Sequence, residues 1–462
     1  MTDLLDKSIK ELSEGIKNKN FSIEDLLDES YGKIEEYNNK FNSFITVVDR
    51  KPVSKSNLTE NILSGLPFSM KDAYATKGVR TTAGSSVLAD FIPPYSATVY
   101  EKLKGAGAIL VGKNSQDAWG HGASSENTDF RIPKNPWDNT RVAGGSSGGS
   151  ASAVAMRLVS FSIGEDTGGS IRNPSAWCGV TGLKVSYGRV SRYGAIAYAS
   201  SFDTVGPIAK SVEDCAIVLS QIAGLDKYDA TSSPNQVPDY LKLLNGKEKY
   251  TIGVPKEFFN NDLDRDIDNS IKKAIGELEK LDFNIEEVSF PDFDFVLSLY
   301  YIIAPSETSS NLARYDGIRY GENRDAFTEE TKRRIMIGTY SLSSGYYDAY
   351  YKQAQKARTL LVKTYDKIFE KCNVFISPIT ASMPPRIGEL INNPIKNYLA
   401  DIYTTVQNPA GVPSLALPCG FSKEGLSIGM QIVGPMFSEE KLLNIGYRYQ
   451  QVTDWHLRKP KL

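Results

Sequence analysis

The sequence predicts an α/β fold, a mixed β-sheet covered by helices on both faces and built as one large domain. Three observations carry this expectation. Short apolar or β-branched runs alternate with helix-length segments from about residue 62 onward, the pattern of a sheet buried by helices. Several of these runs, such as Ala108-Ile109-Leu110-Val111-Gly112, read as buried strands. The chain also shows no Pro/Ser-rich linker, no repeat and no low-complexity tract. A length of 462 residues would suggest about three domains, but separate domains normally leave such a seam. We therefore expect residues 1–462 to form one domain. Within it, 1–60 is an N-terminal helical segment, 62–220 a core and 221–462 the remainder, forming the substrate pocket.

Residues 1–48 read as two helices. Leu4, Leu5, Ile9, Leu12 and Ile16 lie at helical spacing in the first. Ser22, ahead of Glu24 and Asp25, marks the start of the second. Thr98 to Gly107 and Ser150 to Val159 read as helices, and Phe161-Ser162-Ile163 as a strand. Later strands are expected at Tyr250–Val254, Asn284–Phe290, Val374–Ser377, Ser414–Leu417 and Ile428–Val433. Tyr346 to Phe369 reads as a long helix.

Hydrophobic residues make up 41% and charged residues 23% of the chain, an ordinary globular balance. The formal net charge is −2, with no block of Lys or Arg. That argues against a main nucleic-acid surface on this chain, which would need clustered cations. The four cysteines, Cys178, Cys215, Cys372 and Cys419, have no zinc-ligand spacing and fit buried thiols in a reducing compartment. The N-terminal residues lack the features of a targeting segment. No run approaches the roughly 20 apolar residues of a membrane span. These features lead us to expect a cytoplasmic protein.

Residues 143–184 are the most informative. Gly144 to Gly149 has the spacing of a phosphate loop, but Ser150 stands where that motif needs lysine. Gly168-Gly169-Ser170-Ile171-Arg172 places a serine as in a nucleophile elbow, but arginine replaces its second glycine. A flexible Gly/Ser loop is the plain alternative. Two Gly-Gly-Ser units flanking a helix fit a linker poorly. The chain has only two histidines, His121 and His456, so a multi-histidine metal site is not available. A nucleophilic serine here would more naturally take lysine as its base.

Gly144-Gly145-Ser146-Ser147-Gly148-Gly149-Ser150, Asp166-Thr167-Gly168-Gly169-Ser170-Ile171-Arg172 and Cys178-Gly179-Val180-Thr181-Gly182-Leu183-Lys184 resemble the amidase signature. Pro67-Phe68-Ser69-Met70-Lys71-Asp72 resembles the family's lysine-bearing segment. The resemblance runs from about residue 8 to the end of the chain. It implies a single amidase-signature domain with Ser170 as nucleophile, Ser146 as bridging serine after a cis peptide, and Lys71 as base. It further implies an oxyanion hole at Thr167, Gly168 and Gly169. The chemistry agrees. Lysine takes a proton only when neutral; a free lysine has a pKa near 10.4, so the role calls for a buried site. Serine both donates and accepts, so Ser146 can relay a proton. Asp166 and Arg172 are expected to form a structural ion pair, and Cys178 to be core.

Further segments resemble the A subunits of tRNA-dependent amidotransferases. They are Tyr187 to Gly194, Ala199 to Asp203, Ser309 to Gly321 and Ser343 to Tyr351. This resemblance implies a glutaminase within a heterotrimer. A B subunit would bind charged tRNA and amidate Glu-tRNA(Gln) or Asp-tRNA(Asn) with ATP and magnesium. A small C subunit would clasp the pair. No cofactor or metal is expected in this chain. The resemblance places Arg334 on the glutamine carboxylate, Asp401 on its ammonium and Tyr301 beside them; Arg333 is the neighbouring choice. The chain departs from the pattern at Ala73-Tyr74, at Gln116 to Ser124, at Val185 and in a shortened segment from Gly321 to Lys332. Two rival readings are a stand-alone hydrolase of small amides and an inactive scaffold subunit.

Overall fold

Eleven strands organise the described residues, which are 3–53, 58–259, 263–291, 293–391 and 393–462 of a computed structural model. In chain order they are β1 (Phe44–Val47), β2 (Pro67–Lys71), β3 (Ile109–Asn114), β4 (Phe161–Asp166), β5 (Thr181–Lys184) and β6 (Thr204–Ala209). There follow β7 (Thr251–Pro255), β8 (Asn284–Val288), β9 (Val374–Pro378), β10 (Ser414–Phe421) and β11 (Ser427–Val433). They form a single sheet in the order β1-β3-β2-β4-β6-β5-β10-β11-β9-β7-β8. The sheet is mixed. β2 runs parallel to β3 and β4, and β7 parallel to β8 and β9, while β4 to β11 through β6, β5 and β10 are antiparallel neighbours.

Helices bury both faces because successive strand residues point to opposite sides. On β3, Leu110 joins one buried cluster and Val111 the other; on β6, Ala209 and Ile208 divide the same way. The first cluster takes Leu5 from the 3-10 turn Leu4–Asp6, Ile9 and Leu12 from the helix Ile9–Lys17, which starts later than the sequence spacing suggests, and Leu442, Leu443 and Ile445 from the helix Glu439–Val452. The second takes Ile23, Leu27 and Ile34 and the small apolar helix Gly148–Ala155. Ser22 caps its helix as the sequence suggests: its side chain accepts from the Asp25 N–H and the Asp25 carboxylate accepts from the Ser22 N–H. Such a cap contributes about 1 kcal/mol.

The structure departs from the sequence reading in particular places. Phe44–Val47, expected in a helix, is β1, since two β-branched residues and Phe44 pair against β3. The sequence reading does not anticipate β2, β5 or β6. β2 carries a proline and a lysine, yet all five of its residues are buried between β3 and β4. The long helix begins at Tyr351 rather than Tyr346. Two unexpected helices, Phe293–Asn311 and Glu329–Leu342, pack against each other. Gly338 allows this contact, because a Cβ there would lie 1.9 Å from the Pro305 carbonyl oxygen. No helix of the described residues is long and apolar enough to cross a membrane.

Candidate active site

The site lies where the parallel strands β2 and β4 end side by side. Lys71 is the last residue of β2 and Asp166 the last of β4. Lys71 is fully buried. Its Nζ donates to Ser146 Oγ at 2.7 Å and to Glu165 Oε2 at 3.1 Å. Ser146 follows a cis peptide from Gly145. The loop before it packs tightly enough to require glycine. Gly144 has φ +87°, and a Cβ on Gly145 would meet the Ser124 and Ser125 nitrogens at 2.6 and 2.7 Å. The Ser125 hydroxyl donates to the Gly144 carbonyl at 2.8 Å.

The second Gly-Gly-Ser unit leaves β4 beside the first. The Ser147 N–H donates to the Ser170 carbonyl at 3.1 Å, tying the two units together. Ser170 is buried, and its Oγ has no hydrogen-bond partner among the described residues. The structure thus brings Lys71 and Ser146 into direct contact and sets Ser170 next to them without a Ser146–Ser170 hydrogen bond. Hydrogen bonds of this kind often form only with substrate in place. The N–H groups of Thr167, Gly168 and Ser170 also have no acceptor among the described residues. The Gly169 N–H, expected to face the oxyanion, instead donates to Asp166 Oδ1 at 2.9 Å. Gly169 serves the turn: its φ is +132°, and a Cβ would sit 2.2 Å from Thr404 Oγ1. A Cβ on Gly168 would meet the Tyr300 hydroxyl at 2.5 Å.

Asp166 and Arg172 hold this turn from behind. Arg172 Nε and Nη2 donate to Asp166 at 3.0 and 2.9 Å. The remaining guanidinium hydrogens reach Gln407, Gln431, Asn408 and the Thr404 carbonyl. Burial would raise the Asp166 carboxyl, but the charge and hydrogen bonds of Arg172 outweigh it and hold Asp166 well below the usual carboxylate range. The expected ion pair forms and is fully buried, and Cys178 is fully buried.

The residues expected to bind glutamine lie near one another in the folded chain. Arg334, on the helix Glu329–Leu342, is 2% exposed, whereas the side chain of Arg333 is 40% exposed and pairs with Glu330. Arg334 Nε donates to Glu330 at 2.9 Å and Nη1 to the Tyr198 hydroxyl, while Nη2 has no partner among the described residues. The guanidinium lies 5.4 Å from the Tyr301 ring, and Tyr301 stacks on Tyr398 at 4.1 Å. Asp401 is buried, and its carboxylate accepts no hydrogen bond among the described residues. Burial pushes that carboxyl well up, opposed by the charge of Arg334.

Sequence reasoning missed four groups around the site. Glu165 pairs with Lys71. Asp203 accepts from the Thr167 hydroxyl at 2.7 Å and is raised to about 7 by burial and by the charge of Glu165. Asp117 accepts the Ser125 and Asn127 N–H groups, and burial raises it to about 7 against those bonds and the charge of Lys71. His121 lies between Thr308 and Thr331 and edge-on to Tyr198; burial and the charges of Arg334 and Lys71 hold its pKa well below the usual value. Glu165 stands within the signature itself, one residue before Asp166, and strand alternation on β4 was the available signal.

Comparison with known proteins shows the family to which the chain belongs. The Amidase family profile matches residues 25–443, and the chain belongs to that family. It is similar to the glutamyl-tRNA(Gln) amidotransferase A subunit of Geobacillus kaustophilus, at 46% identity over 99% of this chain and 100% of the relative. Its counterpart from a Sulfurihydrogenibium species is 46% identical over 100% of both chains. The crystal structure of the Thermotoga maritima A subunit superposes with a TM-score of 0.88 at 35% identity, covering 100% of this chain and 98% of that one. A 6-aminohexanoate cyclic dimer hydrolase shares the fold, with a TM-score of 0.90 at 22% identity over 99% of both chains.

Proposed function

We propose that this chain is the glutaminase subunit of a tRNA-dependent amidotransferase. The observation that carries the reading is that buried Arg334 and Asp401 lie near each other, with Arg334 Nη2 and the Asp401 carboxylate both lacking a hydrogen-bond partner among the described residues. A free α-amino acid presents one carboxylate and one ammonium. A guanidinium fork suits the first and an acceptor-only carboxylate the second. Lys71, Ser146 and Ser170 act as base, relay and nucleophile. The Ser170 proton passes to Ser146 Oγ as the Ser146 proton passes to the neutral Lys71 amine. Ser170 Oγ then attacks the side-chain amide carbon of glutamine. The N–H groups of Thr167, Gly168 and Ser170 stabilise the developing oxyanion. The relay returns a proton to the leaving nitrogen, the C–N bond breaks, and ammonia departs. Water, activated by the same relay, releases glutamate from the Ser170 ester.

The names of the relatives support a place in a larger assembly. We propose a partner B subunit that binds charged tRNA and uses ATP and magnesium to amidate Glu-tRNA(Gln) or Asp-tRNA(Asn), and a small C subunit that holds the two together. This chain itself uses no cofactor, and we place the reaction in the cytoplasm. The test is glutamine hydrolysis by the purified chain, measured alone and then with its co-purifying partners and charged tRNA. Stimulation by the partners and transfer of ammonia to the aminoacyl group are expected. Hydrolysis of small amides at a full rate, indifferent to partners and tRNA, would point to a stand-alone hydrolase. No hydrolysis under any condition would leave a scaffold.

A further inference from the structure

We propose that Glu165 is a positioning residue that fixes Lys71 against Ser146; this rests on the catalytic reading above. The geometry is a buried chain of contacts. Ser146 Oγ and Glu165 Oε2 lie 2.7 and 3.1 Å from the same Lys71 Nζ. Two acceptors on one ammonium fix the direction of the lysine side chain, whose long stem would otherwise be free to rotate. Both members of the ion pair are almost fully buried, with side-chain exposures of 1% and 2%. Water therefore screens little of the attraction. Glu165 thus supplies the geometry in which Lys71 meets Ser146.

The other charges facing this pair come from separate elements. Asp203, ahead of β6, repels Glu165 and is itself raised to about 7 by burial first and by that repulsion second. Tyr74, after β2, feels the Glu165 charge, and its hydroxyl donates to the Gly164 carbonyl. Asp117 and His121 face Lys71 from the Gln116 to Ser124 segment. Glu165 Oε1 is buried without a hydrogen-bond partner among the described residues. A residue present only to stabilise the fold would be expected to satisfy both oxygens. Here one oxygen serves Lys71 and the other remains unpaired. Asp203 also accepts from Thr167, so the carboxylate pair sits between the base and the turn that carries the nucleophile.

The test is steady-state kinetics with glutamine in the assembled enzyme, for the parent, Glu165→Gln, Glu165→Thr, Glu165→Asp and Lys71→Ala. Glu165→Gln keeps an acceptor at the same reach and should retain most of kcat. Glu165→Thr, whose short side chain leaves Lys71 unanchored, should lose kcat by about ten-fold or more while its KM stays near that of the parent. A parental kcat in folded Glu165→Thr, or a loss that falls on KM instead, overturns the proposal. So does folding of Glu165→Asp alone, which would make the pair structural. Substantial activity in Lys71→Ala would instead overturn the catalytic reading on which the proposal stands.

Discussion

Lys71 Nζ donates to Ser146 Oγ at 2.7 Å across 75 residues of sequence, joining the end of β2 to the loop that precedes the helix Gly148–Ala155. Ser170 lies on the neighbouring turn, tied to the same loop through Ser147. We expect Ser170→Ala to abolish glutamine hydrolysis and Lys71→Ala nearly to do so. Ser146→Ala should be severe yet leave measurable activity, because the backbone donors of the turn survive it. Trapping with a slow substrate, followed by mass spectrometry, should find the acyl group on Ser170. An acyl group on any other residue would contradict the assignment.

Gly338 should be essential to the pocket although it touches no substrate. It brings the helix of Arg334 against the helix of Tyr301, and a Cβ there would lie 1.9 Å from the Pro305 carbonyl oxygen. Backbone must move to admit alanine. We expect Gly338→Ala to lose about 1–3 kcal/mol, the range for overpacked sites, and to raise the KM for glutamine several-fold. Gly276, in the helix Arg265–Lys280, has open space around its Cβ position. Gly276→Ala should gain up to about 1 kcal/mol and leave KM alone. Urea unfolding and steady-state kinetics on the pair check both expectations.

How far the sequence revealed this arrangement depends on what each feature needs. Ile109 to Val111 and Ile428 to Val433 declare themselves as strands by local composition alone. β2 does not, because a proline and a lysine become strand residues only when β3 and β4 flank them. Ser146 and Ser170 were legible because the signature carries them in one continuous stretch. Glu165 lies in the same stretch, but its meaning depends on the parallel alignment of β2 with β4. The six hydrogen bonds of the Arg172 side chain reach partners as far along as Gln431, which no local pattern reveals. Arg334 could have been separated from Arg333 by helical spacing, since Thr331, Arg334, Ile335, Gly338 and Ser341 share the buried side.

Asp117 should make stability fall as pH rises. Burial raises its carboxyl to about 7 in the folded chain, above the roughly 3.9 of an unfolded aspartate. Between those values the folded state holds a proton that the unfolded state has released, so ΔG of unfolding decreases with rising pH. The loss is complete above about 7. One such proton gives a slope of at most about 1.4 kcal/mol per pH unit. Asp117→Asn removes this contribution, so its stability should depend less steeply on pH between about 4 and 7 than that of the parent. The variant should be less stable near pH 4, since one amide oxygen must replace two carboxyl oxygens that accept from Ser125 and Asn127. Denaturation midpoints across this range read the difference. Parallel curves would refute it.

Arg334 and Asp401 make the sharpest test of the substrate. Arg334 is held by Glu330 and Tyr198, which leave Nη2 for a ligand. Asp401 lies buried with no donor of its own among the described residues, and burial favours its protonated form until a cation arrives. A glutamine ammonium would supply that cation, and Arg334 would receive the carboxylate. A substrate amide without these two charges would leave Arg334 Nη2 and the Asp401 carboxyl without a ligand partner. Arg334→Ala and Asp401→Ala should each forfeit a charge-assisted contact of about 1.5–3 kcal/mol, raising the KM for glutamine roughly ten- to a hundred-fold. Amidation with free ammonia bypasses the pocket and should be unaffected. Arg333→Ala, altering an outward-facing side chain, should leave the KM for glutamine near that of the parent. An unchanged KM in both pocket variants would remove glutamine as the substrate they recognise. An equal loss with ammonia and glutamine would show that the substitutions damage the assembly rather than the pocket.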